Sequence, residues 1–178
     1  MLELRKICKS DVSLFYYAKD VIESTFPENE YRSFDQLQNL IEAEERFKIN
    51  IIYNNNEQVG VISYWNFDDF YFIELLATEE KCRNQGIGSQ LLQLICKQMD
   101  KPIILEIELP TSELTIRRKA FYERNNFVTW PNIYFQPPFR EGEEIIPLKL
   151  CCYGNLNAEK DFENIKRIIH TQVYHYHE

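Results

Sequence analysis

Apolar residues along the chain recur with two different periods, and the period changes at turn residues. Alternation in Leu2, Leu4 and Ile7 predicts an opening strand, whereas spacings of three or four residues from Leu14 to Ile22 predict a helix. The same patterns predict strands near 2–7, 47–53, 59–65, 71–78, 103–109, 127–135 and 145–152, and helices near 11–22, 33–41, 87–99, 111–125 and from 157 onward. This order is typical of an α/β layer fold with a mixed sheet.

The last helical pattern carries an apolar stripe of its own. Phe162, Ile165, Ile169 and Val173 recur three or four residues apart. We expect the stripe to pack on the body of the protein or on a second subunit of a homodimer. The predicted organisation is one domain over residues 1–153, followed by a C-terminal amphipathic helix over residues 154–178.

Composition narrows the classes of partner. Acidic residues number 28 against 20 basic ones, which argues against nucleic acid because phosphate binding needs a surplus of Lys and Arg. A cationic small molecule suits the formal charge of -8 better. No stretch offers the roughly 20 apolar residues that a bilayer crossing needs, so we expect a soluble protein with no membrane partner.

The sulfur and imidazole side chains indicate neither a disulfide framework nor a metal site. The five cysteines lack paired spacing, which predicts a reducing, cytoplasmic location and no metal. The three histidines, His170, His175 and His177, are expected at the surface.

A glycine-containing loop joins a predicted strand to a predicted helix and reads Arg83-Asn84-Gln85-Gly86-Ile87-Gly88-Ser89. The first turn of a helix leaves backbone N–H groups unpaired and partially positive, and glycines let an anion approach them closely. A dinucleotide fingerprint would need a third glycine where Leu91 stands, and a Walker A loop would need a following Gly-Lys. The loop is therefore a different kind of diphosphate site, or a plain strand-to-helix turn.

Two stretches resemble the GNAT superfamily of N-acetyltransferases. Residues 76–92 look like its acyl-CoA motif, in which Arg-x-x-Gly-x-Gly links a strand to a helix, and residues 120–127 resemble the helix-to-strand motif that follows. The resemblance covers residues 1–153 and implies a mixed, mostly antiparallel sheet that is splayed at the cofactor, with helices on both faces. It implies an acyltransferase with acetyl-CoA as cosubstrate.

The resemblance also assigns residues to the cofactor. The pantetheine arm would bond to the main chain of Leu76, Ala77 and Thr78. The pyrophosphate would contact the residues Arg83, Asn84, Gln85, Gly86, Ile87, Gly88 and Ser89, with the first two at its rim. Thr115 and Arg118 stand where the family commonly has Asn and Ala, a departure that affects contacts from this helix to the cofactor.

The implied chemistry needs a base, because an amine with a pKa near 10.4 is only about 0.1% neutral at neutral pH. Glu74 is the first candidate, since the family often uses an acid on this strand and Glu74 has the parity of Leu76 and Thr78. Glu106 and Glu108 share a face of the next strand and are further candidates. Otherwise Glu74 is a solvated residue or a contact to the charge of the acceptor.

By the same resemblance, Tyr122 lies beside the sulfur atom of the cofactor. Its phenol, with a pKa near 10, stays protonated at neutral pH and can donate to the departing thiolate. The aromatic segment from Tyr64 to Tyr71 could wall an acceptor pocket in which Asp68 and Asp69 attract an ammonium group, or it could fill the core.

These observations predict transfer of an acetyl group from acetyl-CoA to a primary amine, on a small molecule or a protein, by direct attack in a ternary complex. The alternatives are an acyl-CoA-binding sensor without turnover and an interaction domain built on the terminal helix.

Overall fold

The computed structural model describes residues 1–8, 10–82 and 85–177. Strands and helices follow one another in these ranges as β1 (Leu2–Lys6), α1 (Val12–Thr25), α2 (Phe34–Ala43), β2 (Phe47–Asn54), β3 (Glu57–Asn66), β4 (Tyr71–Thr78), α3 (Ile87–Gln98), β5 (Ile103–Glu108), α4 (Glu113–Arg124), β6 (Val128–Thr129), β7 (Tyr134–Gln136), β8 (Ile146–Tyr153) and α5 (Ala158–Ile168). A π-helical turn, Ile169–Val173, extends α5, and a short 3-10 turn, Glu28–Glu30, precedes α2.

The strands form a mixed sheet in the order β1-β2-β3-β4-β5-β8-β6, with β7 also paired to β8. Among the strands described, only β4 and β5 run parallel, and the remaining pairs are antiparallel. The prediction of a mixed, mostly antiparallel sheet is confirmed.

Local signals place several boundaries where the sequence predicted them. Asn55 and Asn56 both have positive φ, 52° and 69°, as the two central residues of a tight hairpin turn require. Ser33 and Ser112 each accept a hydrogen bond from the third residue of the helix that follows, and so cap α2 and α4.

The prediction of one continuous strand over residues 127–135 was wrong. Two short strands, β6 and β7, occupy the range, and each pairs with a different part of β8. Pro131 lies between them, and proline cannot donate to a strand ladder. The apolar pattern did not show this interruption.

Two hydrophobic clusters cover the two faces of the sheet. One includes Phe15 and Ile22 of α1 and Phe162 of α5. The other includes Leu91 and Ile95 of α3. The four residues of the C-terminal stripe, Phe162, Ile165, Ile169 and Val173, all lie in the first cluster. The last helix therefore packs against the body of the same chain, while the division at residue 153 stays a prediction.

One expectation about the C-terminal segment was wrong. His170 is buried, with its ring 5.3 Å from the ring of Tyr134, although the sequence predicted a surface position. The π-helical turn places it on the inner side of the segment. Within the described ranges, none of the helices combines the length and apolar composition that a bilayer-spanning segment requires.

Candidate active site

A cleft of about 450 Å³ opens where β4 and β5 part. The strands pair in parallel only between residues 71–73 and residues 103–105. From the last of these pairs onward, residues 73–78 and 105–108 line the cleft. Its other lining residues are Thr25, Phe26, Glu30, Leu114, Arg118, Tyr122, Gln136, Ile146 and Leu148. Because diverging strands leave backbone N–H and C=O groups without a partner, this edge of β4 can bond to a ligand.

A β-bulge sets the direction of Glu74. In the ladder between β3 and β4, Ser63 pairs with Leu75 and Tyr64 pairs with Ile73, so Glu74 is the extra residue. The bulge puts Glu74 on the face of Trp65, whose Nε1 donates to Glu74 Oε2 at 2.8 Å. The assumption that Glu74 shares the parity of Leu76 was therefore wrong, because a bulge shifts the alternation of side chains by one residue.

The carboxylate of Glu74 is fully engaged by protein donors. Arg32 Nε donates to Oε1 at 2.9 Å and Arg32 Nη2 donates to Oε2 at 3.1 Å. The side chain of Arg32 is only 6% exposed and that of Glu74 only 1%. Arg32 Nη2 also donates to the carbonyl of Val173 at 2.6 Å. A buried, bidentate pair of this kind fixes both partners in place.

Glu106 lies opposite Glu74, at the first position where the two strands no longer pair. Tyr174 Oη donates to Glu106 Oε2 at 2.9 Å, while Oε1 is buried and has no hydrogen-bond partner among the described residues. Burial raises the pKa of Glu106 to about 8, and the nearby negative charge of Glu74 acts in the same direction, although the neighbouring hydroxyl groups of Tyr134 and Tyr174 oppose it. Glu106 is therefore a carboxyl group that can take up a proton near neutral pH.

Further acidic groups line the cleft next to Glu106. Arg118 Nη1 of α4 donates to Glu108 Oε1. Burial, and then the negative charge of Glu108, raises the pKa of Glu30. Among the described residues that line the cleft, these carboxyl groups outnumber the one cationic side chain, Arg118. The arrangement favours a positively charged ligand.

The N-terminus of α3 lies beside α4. Gly86 precedes the helix with a φ of 75°, a left-handed conformation that glycine adopts readily, and no described side chain caps the helix. A Cβ at Gly88 would stand 3.1 Å from the ring of Phe121 of α4, and Asn125 Nδ2 donates to Ser89 Oγ at 3.3 Å. The first amides of α3 therefore have no capping side chain among the described residues, and they lie close to the helix that carries Tyr122.

Tyr122 faces the cleft from α4 and packs edge-on against Phe121 and Phe127. Burial raises the pKa of Tyr122 to about 12. Its hydroxyl therefore keeps its proton throughout the neutral range and can act as a donor.

The comparison with known proteins decides the family. The family model of the acetyltransferase (GNAT) family matches residues 12–127. The chain belongs to this family of acetyltransferases. It is therefore an acyltransferase, as the two motifs predicted.

Solved and curated relatives of this GNAT chain agree with the assignment. A structure from Bacteroides thetaiotaomicron, assigned to the same family, is 38% identical, spans 97% of this chain and 98% of its own, and superposes with a TM-score of 0.94. YjbC of Bacillus subtilis (strain 168), named as an acetyltransferase, is 26% identical over 76% of this chain and 79% of its own length. A Bacillus subtilis acetyltransferase solved with CoA shares the fold at 15% identity, with a TM-score of 0.58 over 88% of this chain and 100% of its own.

The structure brings some of the predicted site residues of this acetyltransferase together and separates others. Glu74, Tyr122 and the segment 76–78 line one cleft. The segment 85–89 lies at the start of α3. Arg83 and Asn84 lie outside the described residues. The predicted acceptor wall from Tyr64 to Tyr71 does not line the cleft, because Trp65, Phe67 and Phe70 are buried in the core.

Sequence patterns missed one residue that lines the cleft, Gln136, and two that bond to its glutamates, Arg32 and Tyr174. Arg32 lies just before α2, Gln136 is on β7 and Tyr174 follows the π-helical turn. Gln136 is only 5% exposed, and its Nε2 has no hydrogen-bond partner among the described residues. Arg32 lies 42 residues along the chain from Glu74 and Tyr174 lies 68 residues from Glu106, so no short motif could have contained either pair.

Proposed function

We propose that this acetyltransferase transfers an acetyl group from acetyl-CoA to a primary amine by direct attack in a ternary complex. The observation that carries the proposal is the cleft between β4 and β5. It is lined both by Glu106 of β5, a candidate proton acceptor, and by Tyr122 of α4, a candidate proton donor. Its volume of about 450 Å³ lies within the range of small-molecule sites.

The donor side of the site is the edge of β4 together with the start of α3. Backbone groups of Leu76, Ala77 and Thr78 would bond to the pantetheine arm, since they lie beyond the last pairs with β5. The amides from Gln85 to Ser89 would contact the diphosphate, because the helix has no described side-chain cap and Gly86 removes a Cβ there. The implied roles of Arg83 and Asn84 at the rim remain part of the proposal.

The acceptor side is the face with Glu30, Glu106 and Glu108. An amine enters such a site as an ammonium ion, because its pKa near 10.4 keeps it charged at neutral pH. The excess of carboxyl groups favours this cation. The same charges disfavour an acceptor that carries a carboxylate close to its amine.

We infer that Glu106, rather than Glu74, accepts the proton of the ammonium group. Both oxygens of Glu74 are engaged by Arg32 and Trp65, whereas Oε1 of Glu106 has no described partner. Transfer of a proton from the ammonium group to an ordinary glutamate is uphill by about 8 kcal/mol. Transfer to Glu106, with its pKa of about 8, is uphill by about 3 kcal/mol. Glu74 would then hold Arg32 in place.

The second proton transfer involves Tyr122. The neutral amine attacks the carbonyl carbon of the thioester, and the carbon–sulfur bond breaks as the tetrahedral intermediate collapses. Tyr122 gives its proton to the departing thiolate, and the second proton lost by the amine nitrogen restores the phenol through solvent. The products are the N-acetyl amide, the free thiol and one proton, which Glu106 releases to water.

The test is a thiol-release assay with acetyl-CoA and a panel of polyamines, amino acid amides, aminoglycosides and peptides. The proposal predicts release that depends on one class of amine and falls by about 10² to 10⁴ in kcat in Glu106→Gln. Glu74→Gln is the comparison, because it should lower stability by leaving Arg32 unpaired rather than abolish the chemistry. Binding of acetyl-CoA without turnover of any amine would instead favour a sensor.

A further inference from the structure

The segment that follows α5 lies beneath the acceptor side of the cleft. The family match ends at residue 127, so this segment lies outside it. Its π-helical turn, Ile169–Val173, buries Ile169, His170 and Val173, and Tyr174 is only 9% exposed. In the turn, Tyr174 N donates to Ile169 O, five residues back, at 3.2 Å. The wider turn changes the direction in which the following side chain projects.

Two polar contacts connect this segment to the cleft. Tyr174 Oη donates to Glu106 Oε2 at 2.9 Å across a separation of 68 residues. The carbonyl of Val173 accepts from Arg32, which holds Glu74. Tyr174 therefore contacts Glu106 directly, and the adjacent Val173 is connected to Glu74 through Arg32.

We propose that Tyr174 is a positioning residue for acyl transfer, which binds one carboxylate oxygen of Glu106 and thereby directs the other oxygen toward the acceptor amine. The proposal rests on the role of Glu106 in the proposed function. Its geometric basis is that Oε2 has a donor and the buried Oε1 has none among the described residues. A carboxylate held through one oxygen keeps a fixed orientation for its second oxygen.

The contact also has an electrostatic consequence. The charged and titratable groups that face Glu106 are Glu74 on β4, Arg32 before α2, Tyr134 on β7 and Tyr174 after α5. Burial raises the pKa of Tyr174 well above its ordinary value, so its hydroxyl remains a donor. A donor stabilises the carboxylate form, so loss of the Tyr174 hydroxyl should raise the pKa of Glu106 further. The working range of the enzyme should then move to higher pH.

The test is Tyr174→Phe, which keeps the ring and its packing 5.0 Å from Phe139 and removes only the hydroxyl. We expect the acid limb of the kcat/KM profile to move upward by about one pH unit, the size expected for one hydrogen bond to a charged oxygen. The KM for acetyl-CoA should stay unchanged. Tyr176→Phe is the matched control, because the ring of Tyr176 packs on His170 instead, and its profile should equal that of the wild type.

A second measurement needs no turnover. Carbon-13 NMR of protein labelled at the glutamate carboxyl carbon gives the titration midpoint of Glu106, with Glu106→Gln identifying the signal. An upward shift in Tyr174→Phe supports the contact even if no amine is acetylated, in which case only the proposed function fails. An unchanged midpoint, or an unchanged pH profile in an active and folded Tyr174→Phe protein, overturns the proposal.

Discussion

Replacement of Glu106 by Gln should make the stability of the protein less sensitive to pH. In the unfolded chain this carboxyl loses its proton near its ordinary pKa of 4.5, whereas in the folded protein burial raises its pKa to about 8. Between these values the folded state binds a proton that the unfolded state has released. Stability therefore falls as pH rises through this window, and it levels off above the folded-state pKa.

The size of the effect follows from the two pKa values. Each pH unit inside the window lowers the free energy of unfolding by about 1.4 kcal/mol. From pH 4.5 to about 8, the titration of Glu106 thus lowers the free energy of unfolding by up to about 5 kcal/mol. Gln keeps the shape of the side chain and stays neutral, so this contribution disappears in Glu106→Gln.

Urea unfolding of both proteins at pH 5, 7 and 9 measures the effect. Both proteins share all other titrating groups. The contributions of these groups therefore largely cancel when the free energy of unfolding of the wild type is subtracted from that of Glu106→Gln. We expect Glu106→Gln to become more stable relative to the wild type as the pH rises from 5 to 9. A difference that stays constant across this range would refute the claim that folding raises the pKa of Glu106 to about 8.

Three further substitutions test other parts of the site. Tyr122→Phe keeps the aromatic contacts and should lower kcat by about tenfold or more with little change in the KM for acetyl-CoA, as steady-state kinetics would show. Gln136→Leu removes a buried donor without a described partner, and should raise stability in urea by about 1 kcal/mol while it raises the KM for the acceptor. Gly88→Val would crowd Phe121 and should lower stability by about 1 to 3 kcal/mol in thermal unfolding.

Features of the fold that depend on neighbouring residues were predictable from the sequence. The strand over residues 71–78 and the start of a helix at Ile87 follow from short patterns, and the structure has both at those positions. The turn at Asn55 and Asn56 is likewise local. The acyltransferase family followed from two motifs because each of them keeps its spacing within a short segment.

The details of the site depend on contacts between distant residues, and these were not predictable. A bulge inserts one backbone residue at Glu74 without changing the apolar pattern around it. Arg32 lies 42 residues from Glu74, and Tyr174 lies 68 residues from Glu106. Which glutamate is paired with an arginine, and which has an oxygen without a described partner, is therefore decided by tertiary structure alone.

The most direct test of the central claim is calorimetric titration of acetyl-CoA into wild type, Gly86→Glu and Gly142→Glu. Both glycines have positive φ, 75° and 88°, so the two variants bear similar backbone strain, but Gly142 lies in an exposed turn between β7 and β8. A carboxylate at position 86 would meet the diphosphate at the start of the helix. The account predicts affinity that falls about tenfold or more in Gly86→Glu and stays near wild type in Gly142→Glu. Equal affinity in all three proteins would contradict it.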